Sequence, residues 1–151
     1  MTVATRHFDS LPADEQALFT RLARARIPPK TPLTPESVLD EFAHLIEECA
    51  ATYQYGFDDY TNDLTVREVL QDILDKAPTV GLNSLRARVA DLDERFRSVT
   101  AKLPHPVFAA QLAREAPAKY FFYYRIPRDP GEEFLNDLRR MKLIPESRAG
   151  H

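Results

Sequence analysis

Apolar residues along this chain recur three and four positions apart, in blocks that end at prolines, and that spacing predicts helices. Leu11, Leu18 and Leu22, widened by Phe19 and Ala23, mark a first helix opened by Ser10 and Pro12. A hydroxyl accepts a free backbone N–H at a helix start, and proline has no donor to leave unsatisfied there. Arg21, Arg24 and Arg26 crowd the last turn, where cations suit the negative end of the helix dipole. Pro28, Pro29 and Pro32 predict a stiff extended connector. Thr34-Pro35 then opens a second helix, whose apolar face of Val38, Leu39, Phe42, Leu45, Ile46, Cys49 and Tyr53 runs up to Gly56. Thr65 and Glu68 have capping-box spacing, so a third helix is expected from there through Val66, Val69, Leu70, Ile73 and Leu74 to Pro78.

The next block has the cleanest rhythm. Leu82, Leu85, Val89, Leu92, Phe96, Val99 and Leu103 alternate steps of three and four, the seam of a helix packed lengthwise on another. Packing within one bundle is the expected use of that seam, with pairing between two copies as the alternative. A short helical block with Val107, Phe108 and Leu112 follows Pro104 and Pro106, and Pro117 closes it. Asp129, Pro130 and Glu132 signal the start of a final helix with Phe134, Leu135, Leu138 and Met141 on its apolar face. Between these blocks lie five successive aromatics, Tyr120, Phe121, Phe122, Tyr123 and Tyr124. Their strand propensity is high, yet no other segment reads as a partner strand, so helix or an extended packing segment is expected. A strand pairing across a homodimer axis is the alternative for this cluster. The fold class that results is all-α: a single irregular helical bundle of five or six helices with Pro-rich connectors, residues 10–145, flanked by a flexible arm at 1–9 and a disordered tail at 146–151.

Composition narrows the picture. In 151 residues there is one cysteine, so no internal disulfide is available and a reducing, cytoplasmic setting is expected. No apolar run approaches the roughly 20 residues that span a bilayer, and residues 1–9 lack the apolar core of a signal peptide. Four glycines leave no phosphate-binding loop. A net charge of −3 speaks against general nucleic-acid binding. Lys119, Arg125 and Arg128 around the Tyr120–Tyr124 cluster supply too little charge to reverse that.

Catalytic chemistry is mostly absent. Glu41 and His44 form one Glu-x-x-His pair, but a carboxylate-bridged di-iron bundle needs a second, and none exists; a surface histidine beside a solvated acid is the expected reading. Cys49, on an apolar helix face, reads as a buried inert thiol. A calcium loop starting at Asp59 fails at Leu64, where glycine is required, and at Leu70, where a bidentate glutamate is required. No cofactor or metal is expected. One enzymatic alternative rests on Glu47, Glu48, Glu68 and Asp72. All-α nucleotide pyrophosphohydrolases of the MazG type hold magnesium with Glu-Glu-x-x-Glu on one helix and Glu-x-x-Asp on the next. Here Ala51 replaces the third glutamate and the Glu68-to-Asp72 spacing is one residue too long, so a MazG-like metal-dependent nucleotide hydrolase stands only as the alternative.

The distribution of charge points elsewhere. Between Asp40 and Asp75 ten acids face one base, Arg67, a charge of −9 in 36 residues, which leaves +6 on the remaining 115. Tyr53, Tyr55, Phe57 and Tyr60 interleave there with Asp58, Asp59 and Asp63. Accessible rings would give rigid apolar anchors, and the carboxylates would steer a basic partner. The competing reading is a solvated face partly paired with Arg86, Arg88, Arg95 and Arg97. The expected function is a non-enzymatic helical interaction module, of immunity, antitoxin or adaptor type, that binds a basic macromolecule through Tyr53, Tyr55, Phe57, Asp58, Asp59, Tyr60 and Asp63.

Overall fold

A computed structural model describes residues 10–26 and 34–144. The arm, the proline connector and the tail expected from the sequence lie outside the described residues. The all-α architecture holds: six α-helices, one short 3-10 turn and a single pair of three-residue strands among the described residues.

α1 (Ala13–Arg26) buries Phe19 and Ala23. α2 (Pro35–Ala50) starts as expected, with Thr34 Oγ1 accepting the Ser37 N–H at 3.1 Å and Ser37 Oγ accepting the Thr34 N–H at 3.2 Å. Its apolar face is buried from Val38 to Cys49. The helix ends six residues before Gly56, however. Ala51 turns extended, and Tyr53 is clamped against the segment before the last helix. Its N–H donates to the Asp129 carbonyl at 2.9 Å, and its carbonyl accepts the Gly131 N–H at 2.7 Å. The approach is so close that a Cβ on Gly131 would meet the Tyr53 carbonyl oxygen at 2.9 Å, so only glycine fits.

α3 (Phe57–Lys76) begins eight residues before Thr65. Gly56 is its N-cap residue, and the Asp59 carboxylate accepts the Gly56 N–H at 3.2 Å. Asp137, reaching across from another helix, accepts the Phe57 N–H at 2.9 Å. Thr65 is mid-helix, its hydroxyl turned back to the Asn62 carbonyl at 2.6 Å, which is the local bond that competes with capping.

The heptad seam becomes α4 (Asn83–Val99), packed along α2. Leu82, Leu85, Val89, Leu92 and Phe96 are all buried against the rest of the bundle. No side chain of its own caps this helix. The buried Glu15 of α1 does so instead, taking the Ser84 and Leu85 N–H groups at 3.1 Å each. Glu36 of α2 performs a similar service for the approach to α1, accepting from the Leu11 N–H at 3.0 Å and the Gln16 side chain at 2.6 Å. Free N–H groups at helix starts, with the positive end of the dipole, make such carboxylates the natural cross-braces of a helical bundle.

Past Val99 the chain straightens into β1 (Thr100–Lys102), which pairs antiparallel with β2 (Arg125–Pro127), Ala101 opposite Ile126. The aromatics themselves are helical, as expected, in the 3-10 turn Phe121–Tyr124; what the sequence did not show is that the next three residues, Arg125–Pro127, find a partner strand at the end of the seam. Between the strands come α5 (Ala110–Glu115) and the 3-10 turn Phe121–Tyr124. Tyr120, Phe122 and Tyr123 are buried, while Phe121 and Tyr124 pack partly buried against the same core. Most of this cluster and of the heptad seam is interior. The final helix, α6 (Glu132–Arg140), buries Phe134 and Leu138 as expected. No described helix is long and apolar enough to cross a membrane.

The lone base of the acidic segment has a structural task. Arg67 of α3 and Asp93 of α4 are both buried and joined by two bonds of 2.8 Å, Nε to Oδ1 and Nη2 to Oδ2. The guanidinium also lies over the Phe122 ring, 5.1 Å from its centroid, and so ties the aromatic turn to both helices. Removing one partner strands the other charge inside the protein. Asp93→Ala is therefore expected to lower unfolding free energy by ~3–5 kcal/mol in urea titrations. The apolar pair Arg67→Met/Asp93→Leu should recover most of that loss. A cost below ~1 kcal/mol for Asp93→Ala would contradict the assignment.

Candidate functional site

Two amphipathic helices meet at the acidic face. On α2 the apolar positions point to α3 and α4, which leaves Glu41, His44 and Glu48, spaced three and four apart, as one polar row. On α3 the first two turns present Asp58, Asp59 and Asp63, the last two again four apart. Asp58 and Asp59 are exposed, as are Glu41 and His44; Glu48 and Asp63 are half-buried.

The rings behave differently from the sequence expectation. Tyr53, Phe57 and Tyr60 are interior. Tyr53 and Tyr60 meet edge-on at 5.6 Å between centroids, and both meet Phe134 of α6 edge-on, at 5.4 and 5.3 Å. The Tyr60 hydroxyl donates to the Arg125 carbonyl at 2.6 Å. Edge-to-face pairs of this kind add about 0.5–1.5 kcal/mol each beyond their burial, so these rings are core. Tyr53, Phe57 and Tyr60 are thus corrected as exposed anchors. The stretch from Phe57 to Asp63 is also helix, not the loop that was expected. Tyr55 alone among the four rings is open to solvent, at 50% exposure. It stands edge-on to Tyr53 at 5.6 Å, and its side chain lowers the neighbouring Glu48 carboxyl.

Two of the arginines named in the competing reading are engaged away from this face. Arg86 donates to the Leu74 carbonyl at 2.8 Å, and Arg97 pairs with Glu94 at 2.6 Å while lying 4.0 Å over the Phe121 ring. Part of the acidic segment is used structurally. Asp75 pairs with Lys119 at 2.9 Å, Asp72 lies 3.5 Å from Lys76, and Asp59 caps α3. What is left on the face repels itself. Burial and then Asp63 raise the Glu41 carboxyl above its ordinary value. Burial and then Asp59 raise Asp63, with His44 opposing. Burial raises Glu48, and Asp63 adds to it, against the relief given by His44 at 3.6 Å and by Tyr55. Glu41 and His44 were missed as members of this face. Their signal was the polar stripe of α2, read only for its apolar side.

Behind the face lie two further groups. Cys49 is buried, its thiol pushed up to about 12 by desolvation and by Glu48 and Asp63, which makes it inert as a nucleophile. The Tyr53 hydroxyl is buried without a hydrogen-bond partner. Burial, then Asp63, Glu48, Cys49 and Asp59 all drive its proton to be held more tightly.

The enzymatic alternative is not assembled. Glu48 looks toward Asp63 and His44, whereas Glu68 accepts the Tyr123 hydroxyl and Asp72 lies by Lys76. Among the described residues no group of three or more His, Cys, Asp or Glu side chains is placed to hold a metal ion.

Raised carboxyls bind protons more tightly folded than unfolded, so their ionisation costs stability. The cost is absent below the ordinary values of 3.8 for Asp63 and 4.5 for Glu41 and Glu48, and is complete once pH exceeds the raised folded values. Asp63→Asn, which relieves the like-charge pair with Asp59, is expected to stabilise the fold at pH 7 by about 0.2–0.5 kcal/mol. That gain should vanish below pH 4 in denaturation curves measured across the range. A loss of stability at pH 7 would mean that the Asp63 charge is paired. Comparison with protein-family models, with curated proteins and with solved structures finds no match to this chain.

Proposed function

We propose that this protein is a non-enzymatic helical interaction module, working in the reducing setting suggested by its single buried thiol, whose α2–α3 face binds a basic macromolecular partner. Immunity proteins, antitoxins and adaptors exemplify the type of role. The observation that supports the reading is the set of carboxylates left outside the structural network. Glu41, Glu48 and Asp63 accumulate there at an electrostatic cost, with His44 as the cation-capable neighbour acting on Glu48 and Asp63, and the exposed Asp58 adds to the surface charge. Negative charge held at a cost to folding is relieved when a cationic surface docks. Tyr55 is the remaining ring suited to anchoring. A hydrolase reading through Glu47, Glu48, Glu68 and Asp72 has less support, since no group of three or more His, Cys, Asp or Glu side chains among the described residues is placed to hold a metal ion.

Asp58 and Asp63 are the positions to reverse, since Asp59 also caps α3 and its loss would confound binding with folding. In capture from lysate of the expressing cells, the wild-type protein should retain a basic protein at low salt and progressively less at moderate salt. Asp58→Lys/Asp63→Lys should weaken the interaction at least ~10-fold and flatten its salt dependence, as expected when steering charge is inverted. Equal capture by both proteins, or retention unaffected by salt, would reject this face as the docking surface.

A further inference from the structure

The acidic face would carry no more than a general attraction were it not for the hydroxyl beneath it. Tyr53 is fully buried, at 0% exposure, and its ring is fixed on three sides, edge-on to Tyr55, Tyr60 and Phe134. Its backbone is fixed as well, by the bonds to Asp129 and Gly131. The neighbouring Tyr60 hydroxyl has a partner in the Arg125 carbonyl; the Tyr53 hydroxyl has none. A buried hydroxyl with no partner is destabilising, and the great majority in folded proteins are satisfied. This one sits in the field of three carboxylates, Asp63, Glu48 and Asp59, drawn from both helices. Such a group, a free oxygen acceptor and donor beside surplus negative charge, is complementary to a cation that carries several hydrogen-bond donors.

The chemistry narrows which cation. A metal ion needs three or more ligating side chains converging, and no such group occurs among the described residues. An ammonium group is a compact point charge, whereas a guanidinium distributes five N–H donors over a flat fork and packs its face on aromatic rings. The acceptors here come from separate segments: Asp63 from α3, Glu48 from α2 and the Tyr53 oxygen from the stretch between those helices. The half-exposed Tyr55 ring stands beside Glu48 as a surface for stacking.

We propose that the cluster of Glu48, Asp63 and Tyr55, with the Tyr53 hydroxyl beneath it, receives an arginine side chain of the basic partner. This assignment rests on the reading of the α2–α3 face as the docking surface and names the group that the face selects. Tyr55, exposed and edge-on to Tyr53, is the side chain that moves to admit the guanidinium; rotamer changes of exposed side chains are fast enough not to limit association. In the docked state the guanidinium donates to Asp63 and Glu48 and to the Tyr53 oxygen, and the Tyr55 ring lies along its face.

The test uses two synthetic peptides of equal length and charge, one with arginine and one with lysine as its basic residue, titrated into the full isotope-labelled chain and followed by amide chemical shifts. The expected result is tighter binding of the arginine peptide by about 5-fold or more, with shifts concentrated between residues 41 and 63. Tyr53→Phe should weaken the arginine peptide by about 3–10-fold, leave the lysine peptide unchanged and leave the melting temperature of the free protein equal or higher. Equal affinities for the two peptides, with Tyr53→Phe silent, would overturn the guanidinium assignment while leaving the acidic docking face standing. A lowered melting temperature for Tyr53→Phe would show that the hydroxyl serves the fold through a bound water, and would overturn it too. Absence of any shift at this face with either peptide would remove both readings together.

Discussion

Two backbone hydrogen bonds, from Tyr53 to Asp129 and from Gly131 to Tyr53, decide the local architecture on which the rest depends. They pull the chain out of α2 at Ala51 and turn it back into α3 at Phe57. The same clamp holds Tyr53 where it meets Tyr60 and Phe134, so that α6 is sealed onto the α2–α3 corner by rings. With those rings turned inward, the polar residues of the corner have only the outside to occupy. The burial of the aromatics and the concentration of carboxylates on one face are consequences of a single bend.

Charge in this protein divides into two populations. One group of acids completes the structure: Glu15 and Glu36 cross-brace neighbouring helices, Asp59 and Asp137 cap α3, and Asp93 holds Arg67 inside. Each offsets dipole ends or a buried cation that would otherwise lack a partner. The other group, Glu41, Glu48, Asp58 and Asp63, completes nothing internal. Because desolvation and like-charge repulsion act against the ionised forms of Glu41, Glu48 and Asp63, the free protein holds those three charges at a cost. Such a cost is characteristic of surfaces shaped by something other than folding.

The helical pattern was legible in the sequence wherever spacing and capping agreed. Thr34-Pro35 and the seam from Leu82 to Phe96 are found where the periodicity put them. Boundaries failed where periodicity outran the backbone. Tyr53 follows Cys49 by four residues and is as buried as a helical position would be, although it lies on an extended segment. Thr65-Glu68 imitates a capping box, yet the true start at Gly56 uses a weaker cap of its own and borrows a carboxylate from α6. The strands were invisible because three residues are too short to show alternation. For the site, the local excess of acids was readable by counting. The direction of each ring was not, since interleaving with aspartates is compatible with either side of a helix surface; only the clamp at residues 129–131, distant in sequence, settles it.

What most directly tests this account is the ionisation of the face itself. Side-chain carboxyl resonances of Asp63, Glu41 and Glu48, followed by NMR through an acid titration of the free protein, report each charge in place. Midpoints above 3.8 for Asp63 and above 4.5 for both glutamates are the predicted result, because desolvation and like-charge neighbours outweigh the relief from His44. Midpoints at or below those values would mean that the molecule already neutralises this face from within, and no cationic partner would be called for.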